Sequence, residues 1–215
     1  MTAIQRLAKR TFDVVLAAAG LVALSPVLAA VVLLIAAESG RPILFRQTRV
    51  GRGFRRFRIV KFRTMVAGAE RLGGPLSVGA DPRITRVGHA LRRFKLDELP
   101  QLLNVLAGDM SLVGPRPEVP EYVERFRAEY EEILSIRPGL TDLASLKYRD
   151  ESALLAAAAD PAAEYVAVIL PDKIRLGREY VRRASVMLDL SIILRTIGAV
   201  AGVATAPGPE VGEPR

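Results

Sequence analysis

The chain has 215 residues, half of them apolar, with 31 Lys+Arg against 23 Asp+Glu, a net charge of +8, one His and no Cys. This is the composition of a folded chain with a core, not of a disordered or fibrous one. It excludes disulfides, a thiolate nucleophile, Cys-based zinc and a multi-His metal centre, which leaves chemistry to carboxylates, hydroxyls, arginines and a hard cation such as Mg2+.

The positive balance admits three partners: nucleic acid, an anionic membrane surface or a phosphate-rich small substrate. Arg6, Lys9 and Arg10 precede an uncharged run over 14–37, long enough to cross a bilayer core, which needs about 20 apolar residues. It is too long for the apolar region of a cleaved signal peptide. Ser25-Pro26 falls in its middle, so a helix-break-helix is expected, with the Ser25 hydroxyl satisfying a backbone group freed by the proline. Arginines from Arg41 to Arg63 make the second flank basic as well, and the positive-inside rule then puts both flanks on the cytoplasmic side. A hairpin dipping into one leaflet satisfies both observations; a single kinked span satisfies one.

Residues 43–65 alternate apolar and basic side chains around Gly51 and Gly53, which predicts a β-hairpin with basic residues on one face. Such a stripe suits single-stranded nucleic acid or lipid headgroups, and its place beside the apolar run favours headgroups. Residues 67–82 read as a loop and 85–94 as a short helix. Its His89, with no second imidazole, reads as an ordinary helix residue.

The densest chemistry lies over 95–120. Leucines at helical spacing, Pro100 and Gly108 predict a helix over 98–107 with Asp97 at its N-cap and Glu98 just inside. There Asp97 would be ionised, able to act as nucleophile or metal ligand. Taken alone, the pair is better explained as an acidic helix cap, and it is the context that favours chemistry. Downstream, Pro115 and Pro117 stiffen the chain around Arg116, which suits a guanidinium fixed on a phosphate. Together these residues suggest metal-assisted phosphoryl transfer. No P-loop or dinucleotide fingerprint is present.

KFRTM at 61–65, DPRITRVG at 81–88, LDELPQLLNVLAGDMSLVGPRP at 96–117, RPGLT at 137–141 and LPDKI at 170–174 resemble, in order, the bacterial sugar transferase family, specifically its small monotopic phosphoglycosyl transferases. The resemblance implies transfer of a sugar 1-phosphate from a UDP-sugar to polyprenol (undecaprenyl) phosphate with release of UMP, beginning a membrane-linked glycan. It implies Asp97 as nucleophile through a covalent aspartyl-phosphosugar, Glu98 with Asp97 at a Mg2+, and Arg116, Lys61 and Arg92 on the anionic substrate. It also implies a re-entrant membrane helix at Ser25-Pro26. Relatives follow the RPG block with Thr-Gly, where this chain has Thr141-Asp142.

Residues 152–168 read as an Ala-rich helical pair broken at Asp160-Pro161. A last helical stretch over 173–203 starts amphipathic and turns apolar around Asp189 and Arg195, on the membrane surface or packed on the globular part. The expected whole is a mostly helical α+β, monotopic protein of the bacterial inner membrane, its site on the cytoplasmic face. It has a re-entrant helix over 1–40, a catalytic domain over 41–204 and a flexible tail over 205–215. Its partners are UDP-sugar, polyprenol phosphate, membrane lipids and a second copy as homodimer, with no nucleic acid. The rival reading is a non-catalytic basic membrane adaptor binding anionic lipid or nucleic acid.

Overall fold

The computed structural model describes residues 2–74 and 76–202, so the tail expected over 205–215 lies outside the described residues. Helix α1 (Ala3–Ala23) opens with a reciprocal cap between Thr2 and Gln5. It meets α2 (Ser25–Ser39) at a 61° bend. Pro26 has no N–H to offer the Val22 carbonyl one turn back, and the Ser25 hydroxyl donates to that carbonyl instead, at 2.8 Å. The break therefore falls where the Ser-Pro pair predicts it. No single helix is long and apolar enough to cross a membrane, while this bent pair meets the length and composition together. Helix α2 buries Val31 and Ile35 but leaves Leu33 69% and Leu34 53% exposed.

Strands β1 (Leu44–Val50) and β2 (Arg56–Phe62) form the expected antiparallel hairpin. The expectation of one basic face does not hold. Register pairs Arg46 with Val60 and Thr48 with Arg58, so Arg46, Arg56 and Arg58 share the outer face, while Arg49 and Lys61 stand on the opposite one. Those two are drawn inward by carboxylates, Arg49 by Glu118 and Lys61 by Glu98.

Helix α3 (Arg86–Arg93) is capped by Thr85, whose hydroxyl accepts from Gly88 N. It lies so close to the chain leaving β2 that a Cβ on Gly88 would stand 2.0 Å from the Thr64 carbonyl oxygen. Next comes a 3-10 helix (Leu96–Gln101) running into α4 (Leu102–Ala107), which ends at Gly108 with φ 90° as its sequence predicts. Strands β3 (Ser111–Val113) and β4 (Gly139–Thr141) pair in parallel. A Cβ on Gly139 would lie 2.1 Å from Gly114 N, so this crossing requires glycine.

Between the two strands lie α5 (Pro120–Arg125) and α6 (Arg127–Ile133), and after them α7 (Leu143–Lys147), α8 (Glu151–Ala156) and α9 (Pro161–Glu164). Asp160 caps α9 at the predicted break. The stretch expected as one helix over 173–203 is two, α10 (Leu170–Arg183) and α11 (Val186–Val200), because the backbone leaves the helix at Ala184 and Ser185 starts a new one by capping Leu188 N. The fold is thus mostly helical α+β, as expected. One apolar cluster joins α5, α6 and α10 through Val123, Ile133 and Leu170. A second joins α1, α4, β3, α10 and α11 through Ala17, Val105, Val113, Tyr180 and Ile192. A third joins α2, β2 and α3 through Ile35, Phe62 and Leu91.

Candidate active site

Asp97 and Glu98 lie in the 3-10 helix that packs on β2. The residue before this helix is Lys95, in the left-handed region at φ 54°, and it turns the chain sharply after α3. Asp97 is therefore not the N-cap expected from the sequence. It accepts no backbone N–H, and its Oδ1 is buried with no hydrogen-bond partner among the described residues.

Three elements bring cations to this turn. From β2, Lys61 Nζ donates to Glu98 Oε1 at 2.9 Å. From the segment after β3, Arg116 forks onto Glu98, Nη1 to Oε2 at 2.9 Å and Nη2 to Oε1. The Arg116 backbone N–H donates to Asp142 Oδ2 at 3.1 Å, and Asp142 also caps α7 by accepting from Ser145 N at 2.7 Å. From α3, Arg92 is held by Thr64 Oγ1 and Ser77 Oγ, both at 2.9 Å. The five residues singled out in the sequence thus converge on one place. Sequence reasoning missed Thr64, Ser77 and the role of Asp142. Hydroxyls in a loop carry no local signal, whereas Asp142 stood out as the point where the chain departs from the Thr-Gly that the family resemblance implies after RPG.

The two carboxylates are driven apart. Burial pushes the Asp97 carboxyl above the usual range and neighbouring Glu98 adds to this, against Lys61, Arg92 and Lys95. The N-terminal stabilisation expected from the sequence is thus absent, and Asp97 is instead a desolvated carboxyl with raised affinity for a proton. Burial would raise Glu98 too, but Arg116 and Lys61 outweigh it and hold Glu98 well below the usual range. Glu98 in turn raises Arg116, while burial lowers Lys61 and Arg92.

No three His, Cys, Asp or Glu side chains among the described residues stand close enough to hold a metal alone. A two-carboxylate donor set nevertheless fits Mg2+, which takes one or two protein carboxylates and completes its shell with substrate phosphates and water. The bare Asp97 Oδ1 is one donor, and Glu98 Oε2, with one hydrogen bond, keeps a lone pair.

The dyad opens on a cleft of about 2090 Å³. Lys61, Arg92 and Arg116 line it together with the apolar Leu16, Gly20 and Leu24 of the helical break and Ile193 and Ile197 of α11. A separate open depression of about 700 Å³ on α10, around Phe126 and Arg182, touches neither carboxylate.

Three cations around one buried and one partly buried carboxylate, beside a bent apolar helix pair, make a surface whose charge suits an anion. Residues 4–202 match the family model described as Bacterial sugar transferase, so the chain belongs to that family and is a transferase. It is 38% identical over 199 residues to the UDP-N-acetylgalactosamine-undecaprenyl-phosphate N-acetylgalactosaminephosphotransferase of Aeromonas hydrophila, covering 89% of this chain and 43% of that protein. Against the exopolysaccharide production protein ExoY of Sinorhizobium fredii it is 34% identical, over 90% of this chain and 85% of that one. Against the UDP-glucose:undecaprenyl-phosphate glucose-1-phosphate transferase of Caulobacter vibrioides it is 40% identical, over 89% and 68%. The chain thus spans under half of the first relative and most of the second.

Proposed function

We propose that this chain transfers a sugar 1-phosphate from a UDP-sugar to undecaprenyl phosphate at the cytoplasmic face of the bacterial inner membrane, releasing UMP. The observation that carries the reading is the division of labour in the dyad: Asp97 keeps a bare buried oxygen while Glu98 is clamped by Lys61 and Arg116. An oxygen of Asp97 attacks the phosphorus that bears the sugar. The bond from that phosphorus to the bridging oxygen breaks, and UMP leaves with its electron pair. An oxygen of the lipid phosphate then attacks the same phosphorus, and the aspartyl oxygen departs as carboxylate.

Desolvation and a raised proton affinity make Asp97 the better nucleophile of the pair, provided cations offset its repulsion by the diphosphate. Arg116, Lys61 and Arg92 are placed to do so, in a cleft where charge is weakly screened. Mg2+ held by Asp97 and Glu98 would add neutralisation of the diphosphate oxygens. The names of the relatives support the donor and acceptor classes. The bent, basic-flanked α1–α2 pair supports a hairpin dipping into one leaflet, which would bring the lipid phosphate to the cleft.

The test is UMP release from a panel of UDP-sugars by the full chain in nanodiscs with undecaprenyl phosphate and Mg2+. Repeated UMP release that needs both acceptor and Asp97, with no more than one UMP per chain when the acceptor is left out and a loss of at least about 10³-fold in Asp97→Asn, is the expected result. The non-catalytic adaptor predicts no UMP from any donor with folded protein. Release of UDP instead would replace sugar-phosphate transfer by transfer of the sugar alone.

A further inference from the structure

A buried polar cluster outside the site joins residues 180 positions apart. Lys9 Nζ donates to Asp189 Oδ2 at 2.5 Å and to the Val113 carbonyl at 3.0 Å. Tyr180 OH lies 2.6 Å from Asp189 Oδ1 and 3.1 Å from the same Val113 oxygen. Ser111 Oγ lies 2.8 Å from Asp13 Oδ2 and 2.9 Å from the Val113 oxygen as well. Val113, Tyr180 and Asp189 are all fully buried.

Proton counting identifies the donor that holds Val113. Tyr180 and Ser111 each have one proton, and each has a closer carboxylate oxygen to take it. Lys9 has three, enough for Asp189 and Val113 together. Val113 ends β3, and three residues on is Arg116, whose fork holds Glu98. The intervening Gly114 and Pro115 are locked to β4, by Gly114 N to Thr141 O and Gly139 N to Pro115 O, both 3.1 Å. A shift at Val113 therefore has no slack in which to dissipate before Arg116.

We infer that Lys9, with Asp189 and Tyr180, is a positioning residue for the reaction: it pins the Val113 carbonyl and so places the Arg116 fork on Glu98. The helix that enters the apolar break thereby sets the geometry of the site. The same turn of α1 also grips the end of α4, the helix into which the dyad's 3-10 turn runs, since Arg10 donates to the Val105 and Leu106 carbonyls at 2.8 and 3.1 Å. The catalytic consequence rests on the proposed phosphotransfer; the geometric claim does not.

The experiment removes the cluster's polarity while keeping its volume, in Lys9→Met/Tyr180→Phe/Asp189→Leu, alone and with Arg116→Ala, using the full chain in nanodiscs. Hydrogen exchange is read at the Gly114 and Arg116 amides, which donate to Thr141 O and Asp142 Oδ2. Faster exchange at these two amides, with the α5–α6 region unchanged, is expected; unchanged exchange there overturns the inference. On activity, kcat/KM should fall about 10- to 100-fold in the triple variant and no further when it is added to Arg116→Ala. Additive losses overturn the link to Arg116. If the triple variant does not fold, Lys9→Asp/Asp189→Lys restores the ion pair but leaves position 9 without a proton donor. Retained fold with the same non-additive loss supports the inference, and full activity overturns it. Absence of UMP release from the wild type would refute the phosphotransfer reading, and exchange at Gly114 and Arg116 would still decide the positioning.

Discussion

Two buried charge clusters, one around Glu98 and one around Asp189, use the same ingredients to opposite ends. At Asp189, two carboxylate oxygens meet one ammonium and one phenol, and both are satisfied. At Glu98, two cations crowd one carboxylate while the adjacent Asp97 keeps a bare oxygen, and the whole faces a cleft. A closed, saturated cluster stabilises one arrangement of the chain; an open, unbalanced one holds reactivity in readiness. The lesson is that burial alone does not mark a site. An unsatisfied atom beside an open cleft does.

The comparison is most strongly tested at Glu98. Glu98→Gln strips the counter-charge from Lys61 and Arg116, and UMP release should fall by about 10²-fold, with a loss of stability. Steady-state kinetics and the thermal midpoint check both; unchanged turnover would mean that the clamp is only structural. Asp189→Asn should show the converse balance. It leaves Lys9 with only the more distant Asp13, at 3.9 Å, and should cost about 3 kcal/mol, seen in denaturant unfolding.

The pH dependence sharpens the contrast. The nucleophile must be deprotonated, so with its folded pKa raised, activity is lost as pH falls through a value above the ordinary carboxylate range near about 3.9. Arg92 holds that pKa down, so Arg92→Met should move the acid limb of kcat/KM to higher pH. Glu98 holds it up, so the residual activity of Glu98→Gln should have its acid limb at lower pH. Limbs that move together would sink the assignment to Asp97. The smallest effect belongs to the turn itself. Lys95→Gly relieves a left-handed backbone and should stabilise the fold by about 1 kcal/mol, measured by unfolding.

Much of this was readable along the chain because it is local. The Ser25-Pro26 break follows from a missing N–H, Gly108 from a left-handed cap, and the hairpin from alternation. What failed was also physical. The helix expected to start at Glu98 begins at Leu96 as a tighter 3-10 turn, since Lys95 adopts a conformation that no local pattern announces. The stripe of arginines splits between two faces because partner carboxylates, Glu118 and Glu98, come from distant segments. Nothing near Lys9 indicates that its counter-ion lies at position 189.

The sequence alone determined the composition of the site and the family, because the residue types at Asp97, Glu98 and Arg116 and the order of the five motifs are written in the chain. Only the tertiary structure decided which carboxylate is clamped and which is bare. That outcome depends on Lys61, Arg92 and Arg116 arriving from three different elements, and on burial raising Asp97 while two cations lower Glu98. Charge and identity are local properties of a residue, whereas desolvation and pairing belong to the space around it.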